Sequence, residues 1–272
     1  MEFGDFYVVA TPIGNLKDIT LRAIEVLKLV DFVACEDTRV TRKLLERYEI
    51  NANLFDYHKF NEKQCSEKII SLLNEGKSVA LVSDAGTPGI SDPGCVLYGE
   101  LNKLGVKINT LPGACAVSTF LSGLQRENEF FAFVGFLPKT KKQQEELFNK
   151  FRSVNFVFYD SPNRLLATLK NIKELFGTER KVAIGRELTK LFEEVKIGTV
   201  EEILDYYSLN PLKGEIVAMV YFEAEKAPEE SMILEKARLL KQNGYSDKDI
   251  SKILSLLFDI NKNKIYNLLL DK

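Results

Sequence analysis

Apolar residues along this chain follow two rhythms. Short continuous runs rich in β-branched and aromatic residues occupy positions 6–10, 32–35, 53–57, 79–82 and 106–111, the composition of central parallel strands buried on both faces. Between them the spacing changes. Ala23, Val26, Leu27 and Val30 fall at i, i+3, i+4 and i+7 behind Asp18 and Thr20, which predicts a capped amphipathic helix. Further helices are predicted over 40–48, over 61–74 with Gly76 as its stop, over 96–104 with Gly105 as its stop, and from Val117 onward. The first 120 residues therefore alternate strand and helix about five times, the signature of an α/β unit with a parallel sheet.

A polar stretch at 125–129 interrupts this pattern, which then restarts. Strands are predicted at 130–135, 155–159, 181–185, 194–198 and 216–222, with helices at 143–151, at 162–176 behind Pro162, and at 200–207. This second α/β domain is expected to include antiparallel strands. From 225 the composition shifts again: residues 226–230 read as a linker, and amphipathic helices are predicted near 231–243, 247–257 and 262–270, with Ser246 and Asp249 spaced as a capping box. The expected division is 1–120, 121–225 and 226–272.

Three strands run into loops of small residues. The run at 79–82 opens into Ser83 to Gly94, which holds Gly86, Gly89, Gly94, Pro88 and Pro93. Glycines free of a Cβ let amides approach a ligand, and prolines hold one loop shape. A rigid loop at the carboxyl end of a parallel strand is where open α/β sheets bind small molecules, although a plain pair of turns would use the same residues. Thr11 to Leu16 and Pro112 to Ala116 are loops of the same kind. Glu36, Asp37, Thr38 and Arg39 follow the second strand. They either face the crevice or cap the next helix. His58 lies in a polar loop where it could pair with Asn61 or Glu62, or act as a base.

Composition narrows the function. A net charge of −2 over 272 residues argues against a protein that coats nucleic acid. Local patches remain, at Lys139, Lys141, Lys142, Lys150 and Arg152, and in the tail from Lys226, where nine bases face seven acids; each is either a phosphate-facing surface or a solvated helix face. No apolar run reaches the roughly 18 residues of a membrane span, and the amino terminus lacks a signal-peptide pattern, so a cytoplasmic location without membrane attachment is expected. Cys35, Cys65, Cys95 and Cys115 are scattered and His58 is the single histidine, so no metal site is expected. Asp84-x-Gly86-x-x-Gly89 follows a later strand than the first and contains Pro88, a poor match to a Rossmann dehydrogenase.

The motifs Thr11-Pro12-Ile13-Gly14-Asn15-Leu16-Lys17-Asp18-Ile19-Thr20, Glu36-Asp37-Thr38-Arg39, Val82 to Pro88 with Asp92-Pro93-Gly94, and Pro112-Gly113 with Cys115-Ala116 resemble those of the ribosomal RNA small subunit methyltransferase I family. So do Gly135-Phe136-Leu137-Pro138-Lys139, Phe158-Tyr159 with Arg164-Leu165, Arg186-Glu187-Leu188-Thr189-Lys190, and Lys213-Gly214-Glu215. Two positions depart from that pattern: Ala114 stands where proline is frequent and Asn163 where histidine is frequent.

The resemblance implies two α/β domains of the tetrapyrrole methylase (class III methyltransferase) type with a small helical tail, working as a homodimer with S-adenosyl-L-methionine in the cleft. The implied reaction is 2′-O-methylation of a cytidine ribose in the decoding region of small-subunit (16S) rRNA, free or in the assembled small ribosomal subunit. It implies that Pro12, Gly14, Asp84, Gly86, Thr87, Ile90, Ala114, Cys115 and Ala116 border the donor, with Tyr159, Leu188, Gly214 and Glu215 closing it from the second domain. Small-residue loops suit an in-line displacement, whose main demand on the protein is alignment. A ribose hydroxyl is a weak acid, so a group must accept its proton. Glu36, Asp37 and Glu187 are candidate bases, and Arg39, Arg164, Arg186 and Lys190 candidate phosphate holders; a structural ion pair is the competing role for each. A small-molecule methylase and a non-catalytic ribosome-binding factor are the alternatives.

Overall fold

The structure, a computed structural model, describes residues 3–126, 129–222, 230–258 and 260–270. Strands β1 (Phe6–Val8), β2 (Phe32–Cys35), β3 (Asn53–Asp56), β4 (Val79–Val82) and β5 (Ile108–Thr110) form an all-parallel sheet in the order β3-β2-β4-β1-β5. All four residues of β4 are buried, as their unbroken apolar run requires. Helices α1 (Leu21–Leu29), α2 (Thr38–Arg47), α3 (Glu62–Asn74), α4 (Cys95–Lys103) and α5 (Ala116–Ser122) alternate with the strands. Ile69, Leu73, Leu97 and Leu101 of α3 and α4 pack with Phe6, Val8 and Leu81, whereas Ala23, Leu27 and Leu45 of α1 and α2 pack with Val33, Ala80 and Val82. Thr20 caps α1, its Oγ1 accepting from Ala23 N at 3.1 Å. Asp18 instead closes a single 3-10 turn, Leu16–Asp18, that Asn15 caps.

The second sheet comprises β6 (Phe131–Phe136), β7 (Asn155–Asp160), β8 (Lys181–Arg186), β9 (Glu194–Thr199) and β10 (Ile216–Val220), in the order β6-β7-β10-β8-β9. Only β6 and β7 run parallel; the other neighbours are antiparallel. Side chains alternate across it. Phe156, Phe158, Val182, Ile184, Ile216 and Ala218 meet the apolar residues of α6 (Lys141–Lys150), α7 (Pro162–Phe176) and α8 (Val200–Leu209). On the opposite face Val157, Ala183, Val217 and Met219 pack against Ile13, Val117, Phe120 and Leu121 from the first half of the chain. This shared core joins both sheets into one compact unit, residues 1–222.

Residues 223–272 form a second unit. Its helices α9 (Glu230–Gln242), α10 (Asp247–Phe258) and α11 (Lys262–Leu270) enclose a core of Ile233, Ala237, Ile250, Leu254 and Ile265. Ser246 Oγ accepts from Asp249 N at 3.2 Å, and its hydroxyl in turn donates to the Asp249 carboxylate. Residues 226–229 of the expected linker at 226–230, and part of the polar restart, residues 127–128, lie outside the described residues, while Glu230 already opens α9. No described helix is long and apolar enough to cross a membrane.

Candidate active site

Three strand ends lock their loops together. Thr11 and Gly86 exchange backbone hydrogen bonds of 2.9 and 3.0 Å, Thr11 Oγ1 donates to Ser83 O at 2.9 Å, and Thr87 Oγ1 donates to Ala114 O at 3.0 Å. The loops after β1, β4 and β5 thus form one rigid wall. Across from it lie the ends of β6, β7 and β10 and the turn after β8. Between them is a cavity of about 370 Å³, within the range of small-ligand sites.

Of the residues expected around a donor, Asp84, Gly86, Thr87, Ile90, Cys115, Ala116, Tyr159, Leu188, Gly214 and Glu215 line this cavity. Pro12, Gly14 and Ala114 are outside its lining. Pro12 is buried in the first loop, and the carbonyl of Ala114 holds Thr87. Gly14 lies under the turn after β8, where a Cβ would come within 2.8 Å of Thr189 Oγ1 and 2.9 Å of Leu188 O. Among the lining residues absent from the expected set are Ile13, Asp92 and Phe136. Asp92 had a signal, its place in the glycine-proline loop, whereas nothing in the spacing of Phe136 showed where it would point.

Glu36, Asp84 and Asp92 all line the cavity. Burial pushes each carboxyl above its ordinary range. Repulsion from Asp84 and Asp92 adds to the effect at Glu36, while the Asp37 amide, donating to Asp84 Oδ1 at 3.0 Å, works against it at Asp84. Carboxylates short of water favour a ligand that brings positive charge and hydrogen-bond donors.

The remaining catalytic candidates lie outside the lining. Asp37 caps α2, accepting from Arg39 N at 2.8 Å and from Arg39 Nη2 at 2.6 Å, which holds its carboxyl down at about 2. The Arg39 side chain is 87% exposed. Glu187 accepts from Lys190 Nζ at 2.8 Å and from Glu215 N at 2.9 Å, while its own amide donates to Glu215 O at 3.0 Å. Burial pulls the Glu187 carboxyl upward, but these donors outweigh it and leave it below the usual range. Arg186 Nε lies 3.8 Å from Glu194. Arg164 pairs with Asp160 at 2.7 Å and donates to Leu137 O. In the basic patch Lys141 pairs with Glu174 and Glu145. The amide of His58, rather than its ring, donates to Asn61 Oδ1 at 2.8 Å.

Two α/β sheets joined through one core, with a cleft at their loop ends, define the class of the tetrapyrrole (corrin/porphyrin) methylases, whose family model matches residues 5–204. Diphthine synthase shares the fold, with a TM-score of 0.64 at 15% identity over 85% of this chain and 94% of that one. Closer in sequence are two proteins named ribosomal RNA small subunit methyltransferase I. That of Escherichia coli O157:H7 is 39% identical over 275 residues, 99% of this chain and 96% of that protein. That of Mesorhizobium japonicum is 46% identical over 226 residues, 82% of this chain and 77% of that protein. The chain belongs to the ribosomal RNA small subunit methyltransferase I family.

The methyl donor of this family is S-adenosyl-L-methionine, and the cavity suits it. An ammonium, a sulfonium and ribose hydroxyls are the groups that half-buried Glu36, Asp84 and Asp92 would satisfy, and Ile13, Ile90, Leu188 and Val217 supply apolar wall for the rest.

Proposed function

We propose that this protein transfers a methyl group from S-adenosyl-L-methionine to the ribose 2′-hydroxyl of a cytidine in the decoding region of 16S rRNA, acting as a cytoplasmic homodimer on the small subunit or its RNA. The observation that carries this reading is an acid-lined, donor-sized cavity in a chain alignable over 99% of its length with a protein named for small-subunit rRNA. The bound donor supplies an electrophilic methyl on a sulfonium. Asp84, Gly86, Thr87, Ile90, Cys115 and Ala116 hold it from the first sheet, and Tyr159, Leu188, Gly214 and Glu215 from the second, with Pro12, Gly14 and Ala114 fixing the loops behind them.

Glu36 is the base. Its carboxylate reaches the cavity, and burial has made it more basic than an ordinary glutamate, which favours taking the hydroxyl proton as the new C–O bond forms. Asp37 and Glu187 act one step away: Asp37 fixes the Asp84 carboxylate through its amide, and Glu187 fixes Glu215. Arg39 and Lys139, both exposed, meet RNA phosphates, while Arg186 orders the end of β8. The test is ribose methylation at single-nucleotide resolution on small-subunit RNA from cells with and without the protein, then in vitro with labelled donor. Loss of one decoding-region 2′-O-methyl group, restored by purified protein, is expected. Unchanged ribose methylation with donor still bound would overturn the reading and favour a small-molecule acceptor.

A further inference from the structure

Phe136 is the last residue of β6 and lines the cavity, yet 61% of it is exposed. Its placement comes from an irregularity in the sheet. Phe133 pairs with Val157 and Phe136 with Tyr159, so Val134 and Gly135 together face Phe158 alone. A bulge in a parallel pair is uncommon, and bulges next to active sites re-aim a side chain. Gly135 takes φ +71°, the left-handed region that favours glycine. Beyond the bulge the chain is pinned again: Leu137 N donates to Tyr159 O, and Leu137 O accepts from Arg164, which is itself paired with buried Asp160. The Phe136 ring also leans on Tyr159, centroids 5.3 Å apart at 58°, and Tyr159 leans edge-on against Phe133 at 5.0 Å. A large apolar ring is therefore held in one orientation at the cavity, with much of its surface left open.

The geometry points to Phe136 as the stacking platform for the nucleobase of the acceptor nucleotide, which brings that nucleotide's ribose over the cavity that Glu36 lines. This rests on the proposed RNA reaction. A fixed aromatic face stacks any base without reading hydrogen bonds, and such a stack is lost when the ring is removed.

The test is methylation kinetics on purified small subunits and on a cytidine-containing fragment of small-subunit RNA, alongside calorimetric donor binding. Phe136→Ala and Phe136→Leu should each raise KM for the RNA by about tenfold, the worth of one stack, with donor affinity at the wild-type value; Phe136→Trp should retain activity. Leucine keeps apolar bulk without a π-face, so it separates stacking from packing. The chain has no tryptophan, so the indole of Phe136→Trp reports alone, and its fluorescence should be quenched by the RNA fragment. Phe60→Trp, at a position 95% exposed and outside the cavity lining, should not be. A wild-type KM in Phe136→Leu, or a loss confined to donor binding, would overturn the inference. A wild-type protein inactive on both RNA substrates would instead remove the reaction on which it rests.

Discussion

Gly214 tests how the second-sheet side of the cavity is built. It takes φ +90°, and a Cβ there would fall deep inside van der Waals contact with Cδ and Oε1 of Glu187. That carboxylate cannot retreat freely, because Lys190 Nζ and Glu215 N hold it at 2.8 and 2.9 Å. Gly214→Ala therefore combines two costs. The left-handed backbone costs about 1–3 kcal/mol for a residue with a Cβ. Displacing Glu187 weakens two charge-assisted bonds, each worth about 1.5–3 kcal/mol when fully buried; Glu187 and Lys190 side chains are 21% and 29% exposed, so the low end applies. The sum is about 4–6 kcal/mol, a fall of about 10–20 °C in the main melting transition for a unit of this size.

Differential scanning calorimetry and a mutant cycle check the mechanism. Glu187→Ala removes both the bonds and the obstacle, so adding Gly214→Ala to it should cost only the backbone strain. The double variant should be more stable than the sum of the singles predicts, by about 1.5–3 kcal/mol. Donor affinity should fall in Gly214→Ala, since Gly214 and Glu215 line the cavity. Additive stabilities, or a Gly214→Ala variant that melts and binds donor like the wild type, would refute the latch.

Three further outcomes follow from the titratable groups. Burial raises the Glu36 carboxyl, so its charged form costs stability above the folded value; Glu36→Gln should unfold at higher denaturant at neutral pH, lose that gain in acid, and lose methyl transfer. The Asp37 carboxyl is held down at about 2 by its bonds to Arg39, so its contribution is present above the ordinary aspartate value near 3.9 and is lost as pH falls through about 2. Arg39→Ala should move the Asp37 NMR titration midpoint upward, and an unmoved midpoint would show that the cap alone sets it. Cys95 is exposed, while burial pushes the Cys35 thiol up to about 11, so Ellman's reagent at mildly alkaline pH should label Cys95 early and Cys35 only on unfolding.

Periodicity located the elements where local composition decides them. The predicted strands at 32–35 and 79–82 and the helix behind Pro162 have the observed bounds. Displacements occurred where a distant partner intervened. Val9 and Ala10 are buried, but the chain leaves β1 at Val8 and goes on to pair Thr11 with Gly86. Helix α2 starts two residues earlier than its apolar pattern because Asp37 caps it, so the acidic cluster after β2 divides between both roles, Glu36 lining the cavity and Asp37 capping the helix. Glycine and proline marked the loops that wall the cavity because these residues act through their own backbone. The Glu187 latch spans 28 positions to Glu215, and Phe136 depends on which strand β6 pairs with; neither is written in local spacing.

The strain at the site has a structural rationale. Glu187 and Thr189 both adopt left-handed backbone, at φ 50° and 65°, a conformation that non-glycine residues keep only where neighbours over-determine it. Here the neighbours come from both halves of the unit. Glu215 and Lys190 hold Glu187, Glu193 accepts from Thr189 N at 2.6 Å, and Thr189 Oγ1 accepts from Asn15 N at 3.1 Å across to the first loop. The residue between them, Leu188, is thereby driven into the apolar core that joins the sheets while its side also lines the cavity. One side chain thus couples the packing of the two sheets to the shape of the cavity. An in-line displacement gains from reactants held in a fixed line, and a wall whose backbone is pinned from both sheets can hold that line without moving at the moment of transfer.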